Sequence, residues 1–241
     1  MRALWPGGAL AFSLAVAGGA GAHEGHKPPP DAGAAASYAF PIPKPGSYNL
    51  PPIKPAGGGP VLDDTGRPHE LADLLRGRAT VLAFVYTRCG DICPTATLQM
   101  SLLQDLAAKQ RGVSGRTRLV TMSFDPGYDT PAVMAEHAAH WRSQARGPPE
   151  WLFLTAPDRE SLAPVLSAYN QSLGPKADPA SPTGPLQHIF RAFLVDAQGR
   201  IRNIYSLDFF DPKLVLNDVE TLLLEPRRGR GEKPSVNRRG R

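Results

Sequence analysis

Two cysteines are the residues of this chain with the clearest capacity for chemistry. Cys89 and Cys93 are its only cysteines, in the stretch TRCGDICP that follows the apolar run Val81 to Tyr86. That run predicts a buried strand, and the amphipathic pattern after it predicts a helix that begins at Pro94. We therefore expect Cys93 at a helix N-terminus, where the helix dipole and free N–H groups stabilise a thiolate. Such a dithiol can be redox-active, bind a metal or form a structural disulfide.

A third donor would decide between these alternatives. A structural disulfide would close a very short loop and gain little entropic stabilisation, so we favour the two reactive roles. Of six histidines, His188 is placed best to join the cysteines, because it follows a proline-rich loop and precedes the strand IFRAFLV. Thiolates with an imidazole favour copper(I), and the same set holds copper(II) with an added oxygen ligand. From spacing alone, a buried or capping residue is the favoured interpretation of His188.

The elements around the cysteines predict an α/β fold. Strands are expected over residues 79–87, 117–124, 151–155, 189–196 and 200–205. Helices are expected over residues 94–110, 130–143, 158–169 and 212–224, with a helical turn at 70–76. Strands that alternate with helices, with an antiparallel pair at the end, predict a thioredoxin-like fold with a central mixed sheet flanked by helices. An N-terminal hairpin extension is expected from residues 48–51 and 61–67.

The net charge of +5 does not indicate nucleic-acid binding. Residues 226–241 contain seven basic side chains and one acidic one, so this tail carries +6 and the rest of the chain −1. The tail has no aromatic residue and no apolar periodicity, which predicts a disordered, solvated segment. We therefore expect no nucleic-acid partner.

The N-terminal residues predict export. Residues 1–22 hold one basic residue, an apolar segment and the small-residue pattern Ala20-Gly21-Ala22. These features predict a signal peptide and a periplasmic protein that begins at His23. An uncleaved membrane anchor over residues 3–22 is the alternative.

Proline content sets the expected domain boundaries. Ten of the 26 prolines lie between Lys27 and Pro60, which predicts extended chain. We expect a proline-rich linker over residues 23–45, one folded domain over 46–225 and the basic tail over 226–241.

Three motifs in order resemble the SCO/SenC family. They are YTRCGDICP, SFDPGYDTP and the histidine ahead of IFRAFLVDAQGRI, and the resemblance covers roughly residues 46–224. It implies that Cys89, Cys93 and His188 bind copper(I) or copper(II). It also implies that Asp125 is the family's acidic residue near the site. There Asp125 would contact either the residues that surround the copper ligands or a partner protein. Alternatively, Asp125 caps a turn ahead of a proline.

The resemblance also implies a function. SCO/SenC proteins help to assemble the CuA centre of cytochrome c oxidase, by delivering copper, by reducing the recipient cysteines, or both. The expected partners are the CuA-bearing oxidase subunit or another copper chaperone, with membrane association as a further expectation. The alternative function is a thiol–disulfide oxidoreductase that uses Cys89 and Cys93 without delivering copper, so enzyme activity stays open. A peroxidase is disfavoured, because no residues that activate a peroxidatic cysteine are recognisable.

Other residues receive simpler interpretations. The family usually has proline after the first cysteine, and Gly90 here predicts a more flexible loop that alters redox poise or copper exchange. His137 and His140 are expected on a helix surface, without a metal. The mature N-terminus at His23, with His26, could chelate copper(II). Three methionines are expected in the core rather than as ligands: Met100, Met122 and Met134.

Overall fold

An eight-stranded mixed sheet is the framework of the structure, a computed structural model that describes residues 41–178 and 180–226. The strands are β1 (Lys54–Pro55), β2 (Pro60–Asp63), β3 (Pro68–Glu70), β4 (Ala79–Val85), β5 (Thr117–Ser123), β6 (Glu150–Thr155), β7 (Leu173–Pro175), β8 (Leu186–His188), β9 (Ala192–Val195) and β10 (Arg200–Tyr205). The helices are α1 (Leu71–Leu74), α2 (Ile92–Ala108), α3 (Arg111–Ser114), α4 (Pro131–Trp141), α5 (Arg159–Ala168) and α6 (Pro212–Leu224).

The order of the strands places the cysteines at one end of the sheet. The order is β1-β10-β9-β4-β5-β6-β2-β3, in which β4, β5 and β6 are parallel and their other neighbours are antiparallel. Because β4 and β5 are parallel neighbours, the segments that follow them emerge at the same edge. The order of the elements confirms the predicted alternation of strands and helices, and the antiparallel pairing of β9 with β10 confirms the predicted terminal hairpin.

Alternating side chains of the central strands build two cores. Val81 and Ala83 of β4 pack towards α2, α4 and α6, whereas Leu82 and Phe84 pack towards α1 and α5. All seven residues of β4 are buried, as expected for a strand covered on both faces. The three methionines predicted in the core are buried there: Met100, Met122 and Met134.

Local capping signals confirm the starts of three predicted helices. The Thr130 hydroxyl accepts the backbone N–H of Val133 at the start of α4, with proline as the first helical residue. Asp158 accepts the N–H of Ser161 in the same way at α5. At α6, Asp211 is the N-cap, and the helix has the predicted bounds of 212–224.

The N-terminal hairpin is present, but only one arm, β2, overlaps the predicted segment 61–67. Strand β2 pairs with β3, and the carboxylate of Asp63 accepts the N–H groups of Thr65 and Arg67 in the turn. Residues 48–51 form no strand. The described part of the proline-rich segment, from residue 41 onwards, packs onto the domain instead of forming a free linker, since Leu50 is buried and β1 pairs with β10.

Two predicted boundaries near the cysteines and His188 differ from the structure. Helix α2 begins at Ile92, two residues before the predicted start, so Cys93 lies inside its first turn. His188 does not continue into a strand of the main sheet. It ends β8, which pairs with β7 in a separate two-stranded sheet, and β9 begins only at Ala192.

Predictions for both termini concern residues that the structure does not describe. The signal peptide, most of the linker, His23, His26 and the basic tail after Pro226 fall outside the described ranges. Among the described helices, none is both long and apolar enough to cross a membrane.

Candidate metal centre

The cysteine loop, defined as residues 86–93, runs from the end of β4 into the first turn of α2. The backbone N–H of Cys89 donates to the carbonyl oxygen of Tyr86 at 3.2 Å, which closes a turn directly after the strand. Cys89 and Cys93 are 4 % and 3 % exposed, and no disulfide joins them. The fold therefore brings two thiols together at a buried strand–helix junction.

The two thiols differ in acidity. The Cys89 sulfur accepts a hydrogen bond from the Cys93 thiol and further bonds from the backbone N–H groups of Cys93 and Asp91, which lower the pKa of Cys89 to about 5. The same hydrogen bond to Cys89, together with burial, raises the pKa of Cys93. The sequence placed the thiolate at Cys93, whereas these hydrogen bonds favour the thiolate at Cys89. Because α2 starts earlier than predicted, its free N–H groups meet the sulfur of Cys89.

His188 completes a cluster of three donors. Its Nε2 lies 3.6 Å from Sγ of Cys93, and the ligand atoms of Cys89, Cys93 and His188 all lie within 4.8 Å of one another. Bond lengths of about 2.3 Å to sulfur and about 2.1 Å to nitrogen, as at zinc, separate two tetrahedral ligands by about 3.6 Å. The described residues contain no other such group of three or more His, Cys, Asp or Glu residues.

Aromatic rings surround the imidazole. The ring of His188 lies 5.4 Å from that of Tyr86, edge to face, and 4.9 Å from that of Phe124. Burial lowers the pKa of His188, and the neighbouring Cys89 thiolate partly opposes this effect. The neutral form of the ring, which is the form that binds metal ions, is thereby favoured.

Tyr86 packs in the core and also holds the segment that carries His188, and the sequence pattern does not indicate this second role. Its hydroxyl donates to the carbonyl oxygens of Thr183 at 3.3 Å and Leu186 at 3.1 Å. These residues belong to the histidine hairpin, defined as residues 173–178 and 180–188. The sequence pattern predicts Tyr86 only as a packing residue of the strand, because the hydrogen bonds join residues about a hundred positions apart in the chain.

Asp125 pairs with Arg88, the residue that precedes Cys89 in the cysteine loop. Its carboxylate is buried and accepts from Nη2 of Arg88 at 2.5 Å and from Nε at 3.2 Å. The Arg88 guanidinium also lies over the ring of Tyr128, 4.3 Å from its centroid. The carbonyl oxygen of Asp125 accepts the N–H groups of Tyr128 and Asp129, so the residue forms a turn as well. Its contact with a partner protein stays a prediction.

Asp129 is a further residue of the site, which the sequence pattern alone does not distinguish. Its buried carboxylate accepts the backbone N–H of Thr87 at 3.1 Å and the hydroxyls of Thr87 and Ser123. It therefore ties the start of the cysteine loop to the end of β5. Burial raises the pKa of Asp129, while these hydrogen bonds oppose the rise. The available signal was its place in the motif DPGYDTP.

The two helical histidines occupy different environments. His140 is exposed, and its Nδ1 bonds to the carbonyl oxygen of Glu136 at 2.8 Å. His137 is half-buried, 5.8 Å from the ring of Phe153, and burial lowers its pKa. The prediction of two surface histidines is thus correct only for His140.

These observations define a class of protein, a thioredoxin-like domain with a thiol, thiol and imidazole cluster at one end of its sheet. The family model described as SCO1/SenC matches residues 60–224, and the chain belongs to this family. An SCO2-like protein of Rickettsia felis is 26% identical over 157 residues, which cover 65% of this chain and 71% of the relative.

Solved structures share the fold. The copper-bound ScoI of Arabidopsis thaliana aligns with a TM-score of 0.60 and 21% identity, covering 70% of this chain and 97% of that one. BsSco, described as a member of the Sco family of cytochrome c oxidase assembly proteins with a disulfide switch, aligns with a TM-score of 0.56 and 20% identity, covering 72% and 96%. The predicted thioredoxin-like fold is confirmed.

Proposed function

We propose that this chain binds one copper ion through Cys89, Cys93 and His188. The observation that carries the proposal is the convergence of these three donors within 4.8 Å of one another, from two segments far apart in the chain. Thiolate and imidazole donors suit copper(I), and copper(II) can share the site with an added oxygen ligand. The copper-bound Arabidopsis relative supports the same cargo.

We further propose that the bound copper is destined for the CuA centre of a cytochrome c oxidase. Family membership supports this role, as does the description of BsSco as an oxidase assembly protein. Copper is here the cargo. The cysteines of a recipient subunit or of another chaperone would take it over by ligand exchange, and the thiols of this chain must be reduced to hold it.

Disulfide exchange is the second candidate function, and the position of two free thiols beside each other at a strand–helix junction favours it. The Cys89 thiolate attacks one sulfur of a partner's disulfide, and the partner's other sulfur leaves as a thiolate. The partner's first thiolate takes the proton of Cys93, whose sulfur then attacks that of Cys89. This step forms the Cys89–Cys93 disulfide and releases the partner's second thiolate. The partner gains two electrons, and this chain loses two.

Copper loading of the reduced protein tests the proposal. Anaerobic titration with copper(I), and separately with copper(II), should give one tightly held ion per chain. His188→Ala should weaken binding by at least about 10- to 100-fold, since loss of a group that only orients a metal ligand already costs that much. Cys89→Ser should abolish tight binding of copper(I), because a soft thiolate is lost.

His140→Ala is the matched control, since it removes an exposed imidazole whose Nδ1 bonds to Glu136 of its own helix. Its copper binding should equal that of the wild type. Equal affinity in His188→Ala and wild type, with disulfide reductase activity intact, would reject copper carriage and favour the exchange reaction.

We also propose that the protein works in the bacterial periplasm. The apolar N-terminal segment and the pattern Ala20-Gly21-Ala22 support export, which suits copper and disulfide chemistry. Cell fractionation and the mass of the purified protein test this proposal. A cytoplasmic chain would contradict it, and a full-length chain in the membrane fraction would favour the anchor over cleavage.

A further inference from the structure

Gly90 lies directly beneath the histidine hairpin. A Cβ atom at this position would stand 2.3 Å from the carbonyl oxygen of Pro182 and 3.4 Å from its carbonyl carbon. Packed atoms do not approach so closely, so a side chain at position 90 and the hairpin in its present place exclude each other. The φ angle of Gly90 lies outside the left-handed region, so the volume of a side chain is the only obstacle to substitution.

A second glycine faces the cysteine loop from the hairpin. A Cβ atom at Gly184 would lie 2.5 Å from the carbonyl oxygen of Arg88 and 2.5 Å from the hydroxyl oxygen of Tyr86. Gly184 also has φ +89°, which disfavours any other residue on conformational grounds. Both segments therefore meet through glycine, but only at Gly90 can the steric contact be tested without backbone strain.

The contact at Gly90 bears on the third donor. Pro182 and His188 belong to the same hairpin, and the Tyr86 hydroxyl fastens the chain between them. Relief of a 2.3 Å contact requires a shift of about 1 Å, which exceeds the ~0.5 Å within which functional groups must be held. Such a shift would draw Nε2 of His188 away from Sγ of Cys93, from which it is now 3.6 Å distant.

We propose that Gly90 is a positioning residue for His188. The bare backbone at this point lets the hairpin settle close enough for the imidazole to join the two thiols. Gly90 thus fixes the place of a group on another segment, in addition to any flexibility that it gives its own loop. The inference rests on the proposed function for its effect on copper, but the seating of the hairpin is a property of the metal-free protein.

Gly90→Ala tests whether the hairpin needs the bare backbone at Gly90, because the substitution adds one methyl group at the point of contact. In the reduced, metal-free protein, amide hydrogen exchange across residues 183–188 should become about tenfold faster. Copper affinity should fall about tenfold. In a His188→Ala background, Gly90→Ala should leave the remaining copper affinity unchanged, since the residue acts through the imidazole.

Gly174→Ala is the matched control. It lies in β7 of the same hairpin, its φ angle is outside the left-handed region, and a Cβ atom there meets nothing within 4 Å. Exchange and copper affinity should both stay at wild-type values. Far-ultraviolet circular dichroism and thermal unfolding of each variant verify that the fold is retained.

Three results would overturn the inference. They are unchanged exchange in Gly90→Ala, equal acceleration by Gly174→Ala, and an affinity loss that persists without His188. The exchange measurement does not involve copper. A wild-type protein that binds no copper would therefore reject the proposed function, while the exchange data would still decide the role of Gly90.

Discussion

The cysteine loop and the histidine hairpin hold their donors in different ways. The loop joins a fully buried strand to a long helix, and Asp129 and the Asp125–Arg88 pair fasten it. The hairpin lies outside the main sheet and meets the loop through the Tyr86 hydroxyl, ring packing and the contact at Gly90. Two donors thus lie between elements of the main sheet and its helices, whereas the third lies in a separate small sheet that packs on the core through Leu173 and Leu186. The sulfur pair should persist under changes that displace the imidazole.

Loss of Asp129 should have the largest effect on stability, because its carboxylate holds the more rigid of the two segments, the cysteine loop. Asp129→Ala leaves the N–H and hydroxyl of Thr87 and the hydroxyl of Ser123 without their buried acceptor. We expect the free energy of unfolding to fall by about 3 kcal/mol, measured by urea denaturation. Asp73→Ala, which removes only an exposed pair with Arg76, should change it by less than about 0.5 kcal/mol. Similar losses in both variants would contradict the fastening role.

Tyr86→Phe should loosen the hairpin with little change in the loop. The variant keeps the ring beside His188 but removes the hydroxyl bonded to Thr183 and Leu186. We expect about 1 kcal/mol less stability and faster hydrogen exchange in the hairpin. Tyr169→Phe, which removes a hydroxyl bonded to Gly57, should cost a similar amount but leave exchange in the hairpin unchanged. Equal exchange in both variants would show that the hydroxyl does not hold the hairpin.

The acidity of Cys89 offers a test of the loop by itself. In the reduced, metal-free protein, the ultraviolet absorbance of one thiolate should rise with a midpoint near pH 5, the pKa of about 5 at Cys89. Cys93→Ser should change this midpoint, and Cys89→Ser should remove the transition. Because the pKa is lowered on folding, the contribution of Cys89 to stability grows as the pH rises from about 5 towards 9. A first transition that survives in Cys89→Ser would assign the thiolate to Cys93.

The smallest effect concerns two buried imidazoles. Burial lowers the pKa of both His188 and His137, but the Cys89 thiolate opposes the shift only at His188. In NMR titrations, Cys89→Ser should therefore lower the pKa of His188 further and leave that of His137 unchanged. An unchanged His188 would mean that the thiolate and the imidazole are not electrostatically coupled in the metal-free protein.

Local sequence signals predicted the frame of the site well. Helix α6 has its predicted bounds, and α4 begins where threonine and proline place it, because capping depends on a few adjacent residues. The three donors could also be named from the sequence. Cys89 and Cys93 follow a recognisable buried strand, and His188 occupies its place in an ordered set of motifs.

Long-range contacts account for what the sequence did not reveal. The pairing of β7 with β8 places His188 in a hairpin. A strand of three residues is too short to show a periodic pattern in the sequence. Asp129 reaches Thr87 only because β4 and β5 are parallel neighbours. The acidity of Cys89 depends on a helix start two residues earlier than predicted, a shift that local propensity does not resolve.

The unequal fastening of the donors has a kinetic consequence for the proposed copper transfer. In a stepwise exchange, the ligand whose scaffold moves most readily departs first, and the incoming ligand takes its place. The histidine hairpin is that scaffold, since it lies outside the main sheet. One hydroxyl, ring packing, the close approaches at Gly90 and Gly184 and the side chains of Leu173 and Leu186 hold it against the rest of the domain. An acceptor's first sulfur would therefore arrive from the side of His188. The two thiolates would hold the copper ion until the acceptor's sulfur had bound it. The ion would then pass from one protein to the other without release into solution.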